Sequence, residues 1–161
     1  MRGDDVHIRM ASPGDGPVVA VLNAFVHQPH VEAEPSEYKP YDQESASAYF
    51  ASAVGDRGHL IWLAEIGDRP VGFIDAEVMT REENPFTTTI TVLYVHQLAV
   101  VPDVRRTGVA RALMNVVERE CALLGASEVR LEHRKFNVGA HHFYEALGYE
   151  TYSVRMRKST T

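Results

Sequence analysis

The stretch Leu98-Ala99-Val100-Val101-Pro102-Asp103-Val104-Arg105-Arg106-Thr107-Gly108-Val109-Ala110-Arg111 joins an apolar run to a helical one through a basic turn of small residues. Amides in the first turn of a helix lack intrahelical partners and sit at the positive end of its dipole, so they suit phosphate oxygens. Gly108 and Ala110 would let backbone approach a diphosphate without a long side chain in the way. Arg105 and Arg106 add full positive charge. Taken alone, the same residues also fit a bland reading, with two solvated arginines and a flexible glycine. A phosphate-binding P-loop would need Gly-Lys followed by Ser or Thr, and a dinucleotide fingerprint would need three glycines. Neither is present.

A second segment runs from Leu131 to Tyr149 and contains Asn137 and, seven residues on, Tyr144. Asn137 is a helix cap by type and position. Tyr144 could donate a proton, or could be a core aromatic between Ala140 and Leu147. In this order and separation the two segments resemble the Gcn5-related N-acetyltransferase (GNAT) family. Arg105, Gly108 and Ala110 occupy the defined positions of its Gln/Arg-x-x-Gly-x-Gly/Ala loop, preceded by Val100-Val101-Pro102. The run from Phe143-Tyr144 to Gly148-Tyr149 matches its Phe-Tyr-x-x-x-Gly-Phe/Tyr ending.

The resemblance implies direct transfer of an acetyl group from acetyl-CoA to a primary amine, on a small molecule or a peptide N-terminus, within a ternary complex. It also implies a single-domain α/β fold over residues 1–161, with a mixed, mostly antiparallel central sheet flanked by helices. By the same resemblance the pantetheine arm lies along Leu98, Ala99 and Val100, and an amide of Leu98 or Ala99 polarises the thioester. The backbone of Arg106, Thr107, Gly108, Val109, Ala110 and Arg111, with Arg105 beside it, holds the diphosphate. Asn137 touches the pantetheine, and Tyr144 protonates the departing thiolate. A phenol of ordinary pKa ~10 can do so for a thiol of ~8.5 only when held close to the sulfur.

Attack also needs a neutral amine, hence a base. Glu132, twelve residues before Tyr144, stands where N-terminal acetyltransferases of ribosomal proteins carry an acid. Strand alternation places it opposite Leu131 and His133. His96 competes: it shares a strand face with Tyr94, which stands where the histone-acetylating branch has its glutamate, and imidazole accepts protons near neutrality. The balance tips slightly to Glu132, with an ordinary surface carboxylate as the bland alternative.

These residues need elements to hold them. Val6 to Met10 alternates like a half-buried strand. Asp15 offers an N-cap to a helix whose apolar face is Val18, Leu22, Phe25 and Val26. His27 to Gln43, with Pro29, Pro35 and Pro40, reads as a long surface loop or a broken helix. Gln43 to Val54 follows as a short helix. His59 to Ile66, Val71 to Met79 and Thr88 to Val100 form an antiparallel meander, with a turn at Gly67-Asp68-Arg69-Pro70. Ala110, Leu113, Met114, Val117, Cys121 and Leu124 then recur at helical spacing up to Gly125. Glu128 to His133 is a strand, Val138 to Leu147 a helix and Thr151 to Arg157 a last strand.

Composition narrows the classes. With 161 residues, 45% apolar and 24% charged, the chain can bury one sizeable core. No run is long enough to span a bilayer, and Met1-Arg2-Gly3-Asp4-Asp5 leads into no leader-like apolar segment, so the expectation is a soluble, cytoplasmic protein without a membrane partner. A single cysteine, Cys121, fits a reducing compartment and reads as core. The net charge of −6 disfavours nucleic acid and leaves a neutral or cationic acceptor. Glu32, Glu34, Glu37, Asp42 and Glu44 crowd one stretch that could suit a cationic amine. No metal is expected: His141 and His142 point about 100° apart on a helix, and Pro29 argues against His27 and His30 sharing a helix face. A homodimer is compatible with the resemblance. The competing class is a non-catalytic acyl-CoA-binding regulatory module, which thiol release would separate from an enzyme.

Overall fold

The computed structural model describes residues 6–160. Met1-Arg2-Gly3-Asp4-Asp5 lies outside the described residues. The elements are β1 (Val6–Met10), α1 (Gly16–Ala33), α2 (Gln43–Val54), β2 (His59–Ile66), β3 (Arg69–Arg81), β4 (Ile90–Val100), α3 (Val109–Leu123), β5 (Val129–Leu131) and α4 (Val138–Ala146). The sheet order is β1-β2-β3-β4-β5. Its first three pairings are antiparallel and the last, between β4 and β5, is parallel.

Alternation along β3 decides which helix covers which face. Phe73 meets Phe50 of α2 with ring centroids 5.7 Å apart, so α1 and α2 lie on that side. Gly72 looks the other way, toward α3, where a Cβ would stand 2.7 Å from the Ala99 carbonyl oxygen and 3.4 Å from Leu113 Cδ1. The absent side chain is what lets α3 come this close. On α3 the predicted stripe is buried at Leu113, Met114, Val117 and Cys121, while Leu124 is largely exposed. The helix stops at Gly125, whose φ of +65° suits glycine.

Four expectations need correction. Helix α1 runs through Pro29 to Ala33, so only 34–42 of the expected irregular stretch is free of helix, and His27 and His30 do share a helix. Pro29 removes one amide bond, but His30 Nδ1 lies 2.7 Å from the Val26 carbonyl and its ring packs on Tyr38 and Phe136, which holds the last turn. Asp15 stands at the cap position without capping. Its carboxylate turns back to accept from Ser12 and from both Arg9 terminal nitrogens, at 2.8 and 2.9 Å.

The buried face of α1 is Val19, Ala20, Leu22 and Asn23, whereas Phe25 is exposed. Asn23 turns inward because its amide donates to the Gln97 side chain of β4. Finally, residues 151–160 form no strand. Strand β5 is only three residues long, and Val154 and Met156 are 77% and 93% exposed, so the tail has neither a ladder to join nor an apolar face to bury. Side chains hold it instead: Arg155 to Glu132 at 3.0 Å, and Arg157 to Glu34 and Glu37 at 2.5 and 3.2 Å.

Candidate active site

The short pairing of β5 creates the site. Val129–Leu131 pairs only with Leu93–Val95, so β4 from His96 to Val100 has no strand beside it on that edge. An open edge is where an extended ligand can add as a strand. Leu98, Ala99 and Val100 lie along it. Asp75 faces Gln97 and Ala76 faces Val95, so His96 is the extra residue of a β-bulge that re-aims the strand at this point.

At the end of β4 the chain turns through a 3-10 segment, Pro102–Val104, into α3. Arg105 Nε donates to the Val100 carbonyl at 3.0 Å and Thr107 Oγ1 to the Val104 carbonyl at 2.7 Å, which stiffens the turn. Arg106 and Gly108 take positive φ values of +65° and +100°, and such residues curl successive N–H groups into an anion-binding concavity. Among the described residues, none accepts a hydrogen bond from the backbone amides of Arg106, Thr107, Gly108, Val109, Ala110 or Arg111. These six donors cluster at the head of a fifteen-residue helix.

Across the gap, Asn137 caps α4 by accepting from the Ala140 amide at 3.1 Å. The cap fixes the start of the helix that carries Tyr144. The Tyr144 ring lies 6.5 Å from that of His133 and 5.9 Å from that of Tyr149, and its hydroxyl bonds to no described residue. Burial pushes the phenol up to about 12. His133 Nε2 lies 3.1 Å from His141 Nδ1, whose other nitrogen lies 3.1 Å from Glu145.

The two candidate bases sit in different surroundings. Glu132 is paired with Arg155 at 3.0 Å and its side chain is 43% exposed. Its charge reaches Tyr94, whose phenol is raised chiefly by burial and then by Glu132. His96 Nε2 lies 2.7 Å from Glu77 Oε2, and its ring is 5.0 Å from that of Tyr94. Behind them, His59 Nδ1 lies 3.1 Å from Asp75 Oδ1 and its Nε2 lies 3.8 Å from Glu77. Burial raises the Asp75 carboxyl above its usual value, and the hydrogen bond with His59 opposes the rise.

Sequence reasoning singled out His96 but missed His59, Asp75 and Glu77. The signal was available only through register, since His59 pairs with Glu77 across β2 and β3, and Glu77 with Tyr94 across β3 and β4. The acidic stretch is less free than its composition suggests. Arg134 and Arg157 pair with Glu34 and Glu37, and Asp42 caps α2.

A mixed sheet that parts beside its fourth strand, with unpaired amides at the neck and a half-buried tyrosine on the last helix, is the architecture of acyl-CoA-dependent acetyltransferases. The profile of the acetyltransferase (GNAT) family matches residues 23–149, and the chain belongs to that family. The BH1408 protein from Bacillus halodurans, as a tetramutant, has the same fold: TM-score 0.90, 19% identity, 95% of this chain and 99% of that one. So does AAC(6')-Iy in complex with the bisubstrate analogue CoA-S-monomethyl-acetylneamine, at TM-score 0.75 and 17% identity over 97% and 98% of the two chains. An aminoglycoside acetyltransferase from an uncultured soil metagenomic sample, in complex with sisomicin, aligns at TM-score 0.70 and 17% identity over 98% of each chain. No curated protein matches in sequence. Among the described residues no helix is long and apolar enough to cross a membrane.

Proposed function

We propose that the protein transfers the acetyl group of acetyl-CoA to a primary amine of a small molecule or a peptide N-terminus, by direct attack on the thioester. The observation that carries this reading is the row of unpartnered amides from Arg106 to Arg111 beside the open edge of β4. The amides take the diphosphate, and the edge at Leu98, Ala99 and Val100 takes the pantetheine with Asn137 opposite. An amide of Leu98 or Ala99 donates to the oxygen that gains charge as the amine adds. The solved relatives crystallised with a bisubstrate analogue of CoA and with sisomicin support this class of donor and acceptor.

Tyr144 is the acid. Its hydroxyl has no competing partner, and its raised pKa keeps it protonated until the thiolate leaves. For the base, the surroundings favour His96 over Glu132. Glu77 accepts from Nε2–H of His96, which fixes the tautomer in which Nδ1 holds a lone pair for the ammonium proton. Glu132 is already engaged by Arg155.

The test is thiol release from acetyl-CoA across a panel of amines, aminoglycosides and peptides. Release that requires an amine is the expected outcome. Tight CoA binding with no release on any acceptor would overturn it in favour of a regulatory module.

A further inference from the structure

Three strands bring together a set of side chains that acetyl transfer does not need in full. His59 on β2, Glu77 on β3 and His96 on β4 each direct one ligand-type atom to a common point, and these atoms all lie within 4.8 Å of one another. The two imidazoles lie nearly parallel, at an interplanar angle of 17° and 5.7 Å between centroids, with both Nε2 atoms turned toward Glu77 Oε2. Their separations from that oxygen are 3.8 and 2.7 Å. Ligands held tetrahedrally at ~2.0–2.1 Å from a zinc-like ion stand about 3.3 Å apart. Closing the cluster on an ion would draw His59 and Glu77 together and ease His96 and Glu77 apart.

The hydrogen-bond inventory points the same way. Asp75 is fully buried, with Oδ1 on His59 Nδ1 and Oδ2 without a partner. With Nδ1 held on Asp75, Nε2 of His59 is turned toward a second carboxylate, Glu77. Their separation of 3.8 Å is beyond direct hydrogen-bonding distance. A carboxylate behind the outer nitrogen of an imidazole is also what orients metal-binding histidines and raises their basicity.

We propose that His59, Glu77 and His96 form a binding site for a divalent transition ion of the zinc type, oriented from behind by Asp75. Two imidazoles and one carboxylate leave a coordination position open toward the half-exposed His96. An ion on Nε2 of His96 leaves the ring proton on Nδ1, the atom assigned as base, and so also silences that residue as a base. This second effect, unlike binding itself, rests on the proposed function.

The experiment uses the full chain freed of metal with a chelator and titrated with Co²⁺ while visible absorption is recorded. Zn²⁺ then displaces the cobalt in a calorimeter. One equivalent with the intense bands of low-coordinate cobalt is expected. His96→Ala, at the exposed end of the cluster, and His59→Gln abolish it, Asp75→Asn weakens affinity about 10- to 100-fold, and His141→Ala leaves it unchanged. Circular dichroism and metal-free melting confirm that each variant is folded. No stoichiometric uptake by the wild type, or uptake that survives His96→Ala and His59→Gln, overturns the proposal. Stoichiometric Zn²⁺ binding with undiminished thiol release upholds the site and overturns only the role of His96 as base.

Discussion

The chemistry of Tyr144 depends on its surroundings more than on its type. Burial favours the neutral phenol, so the donor form persists to about pH 12. Two outcomes follow. Tyr144→Phe lowers kcat by on the order of 10²-fold with little change in KM for CoA, measured by thiol release. In the parent enzyme, kcat shows no loss attributable to Tyr144 between pH 7 and about 10, because a raised pKa widens the range in which the acid keeps its proton. The sequence singled this residue out as a candidate, since Phe143, Tyr144 and Gly148 stand at fixed spacing. The surroundings of the two candidate bases were not legible, because Glu77 touches His96 only through strand register and Arg155 reaches Glu132 from a tail with no regular structure.

Elements are positioned by a few contacts that can be tested one at a time. Arg9 on β1 grips Asp15 ahead of α1, and the bidentate guanidinium holds the Asp15 carboxyl well below the usual carboxylate range. A depressed folded-state pKa stabilises above the unfolded value near 4, and the gain is lost as pH falls through the folded one. Asp15→Asn therefore lowers stability at pH 7 by about 1 to 2 kcal/mol, discounted because Arg9 is partly exposed, and the gap to wild type narrows in acid. Thermal melting across pH checks it. Gly72→Ala pushes a methyl group onto the Ala99 carbonyl and costs roughly 1 to 3 kcal/mol, read from the melting temperature.

Helical periodicity revealed α3, composition α2, and strand propensity with turn signals the meander, each of which has apolar residues to bury. It failed where side chains overrule pattern. Pro29 is tolerated because His30 secures the next turn, and Tyr152, Val154 and Met156 alternate like a strand although Val154 and Met156 stay exposed and only Arg130 lies over the Tyr152 ring.

Over the whole molecule the net charge of −6 is unevenly spent. Arg134 and Arg157 engage the acidic stretch at Glu34 and Glu37, and Arg155 and Arg157 are what tie the tail down. Exposed pairs of this kind are screened at high ionic strength, where the Debye length falls to about 3 Å at 1 M salt. Limited proteolysis should accordingly cut within residues 151–160 faster at 1 M than at about 0.1 M salt, while the sheet stays resistant. Equal rates would show that the tail is held by something else.

The left-handed backbone of Arg106 has a thermodynamic counterpart. A side chain in that region costs roughly 1 kcal/mol, and the resting protein carries the cost with its amides unanswered. The turn is thus like a spring already wound to the shape of its anion, and docking spends little free energy on rearrangement. Saturating coenzyme A should raise the melting temperature through the native state alone, while Arg106→Gly, by relieving the strain in free and bound protein alike, should lift the melting temperature of the ligand-free protein and leave the further rise on binding nearly unchanged.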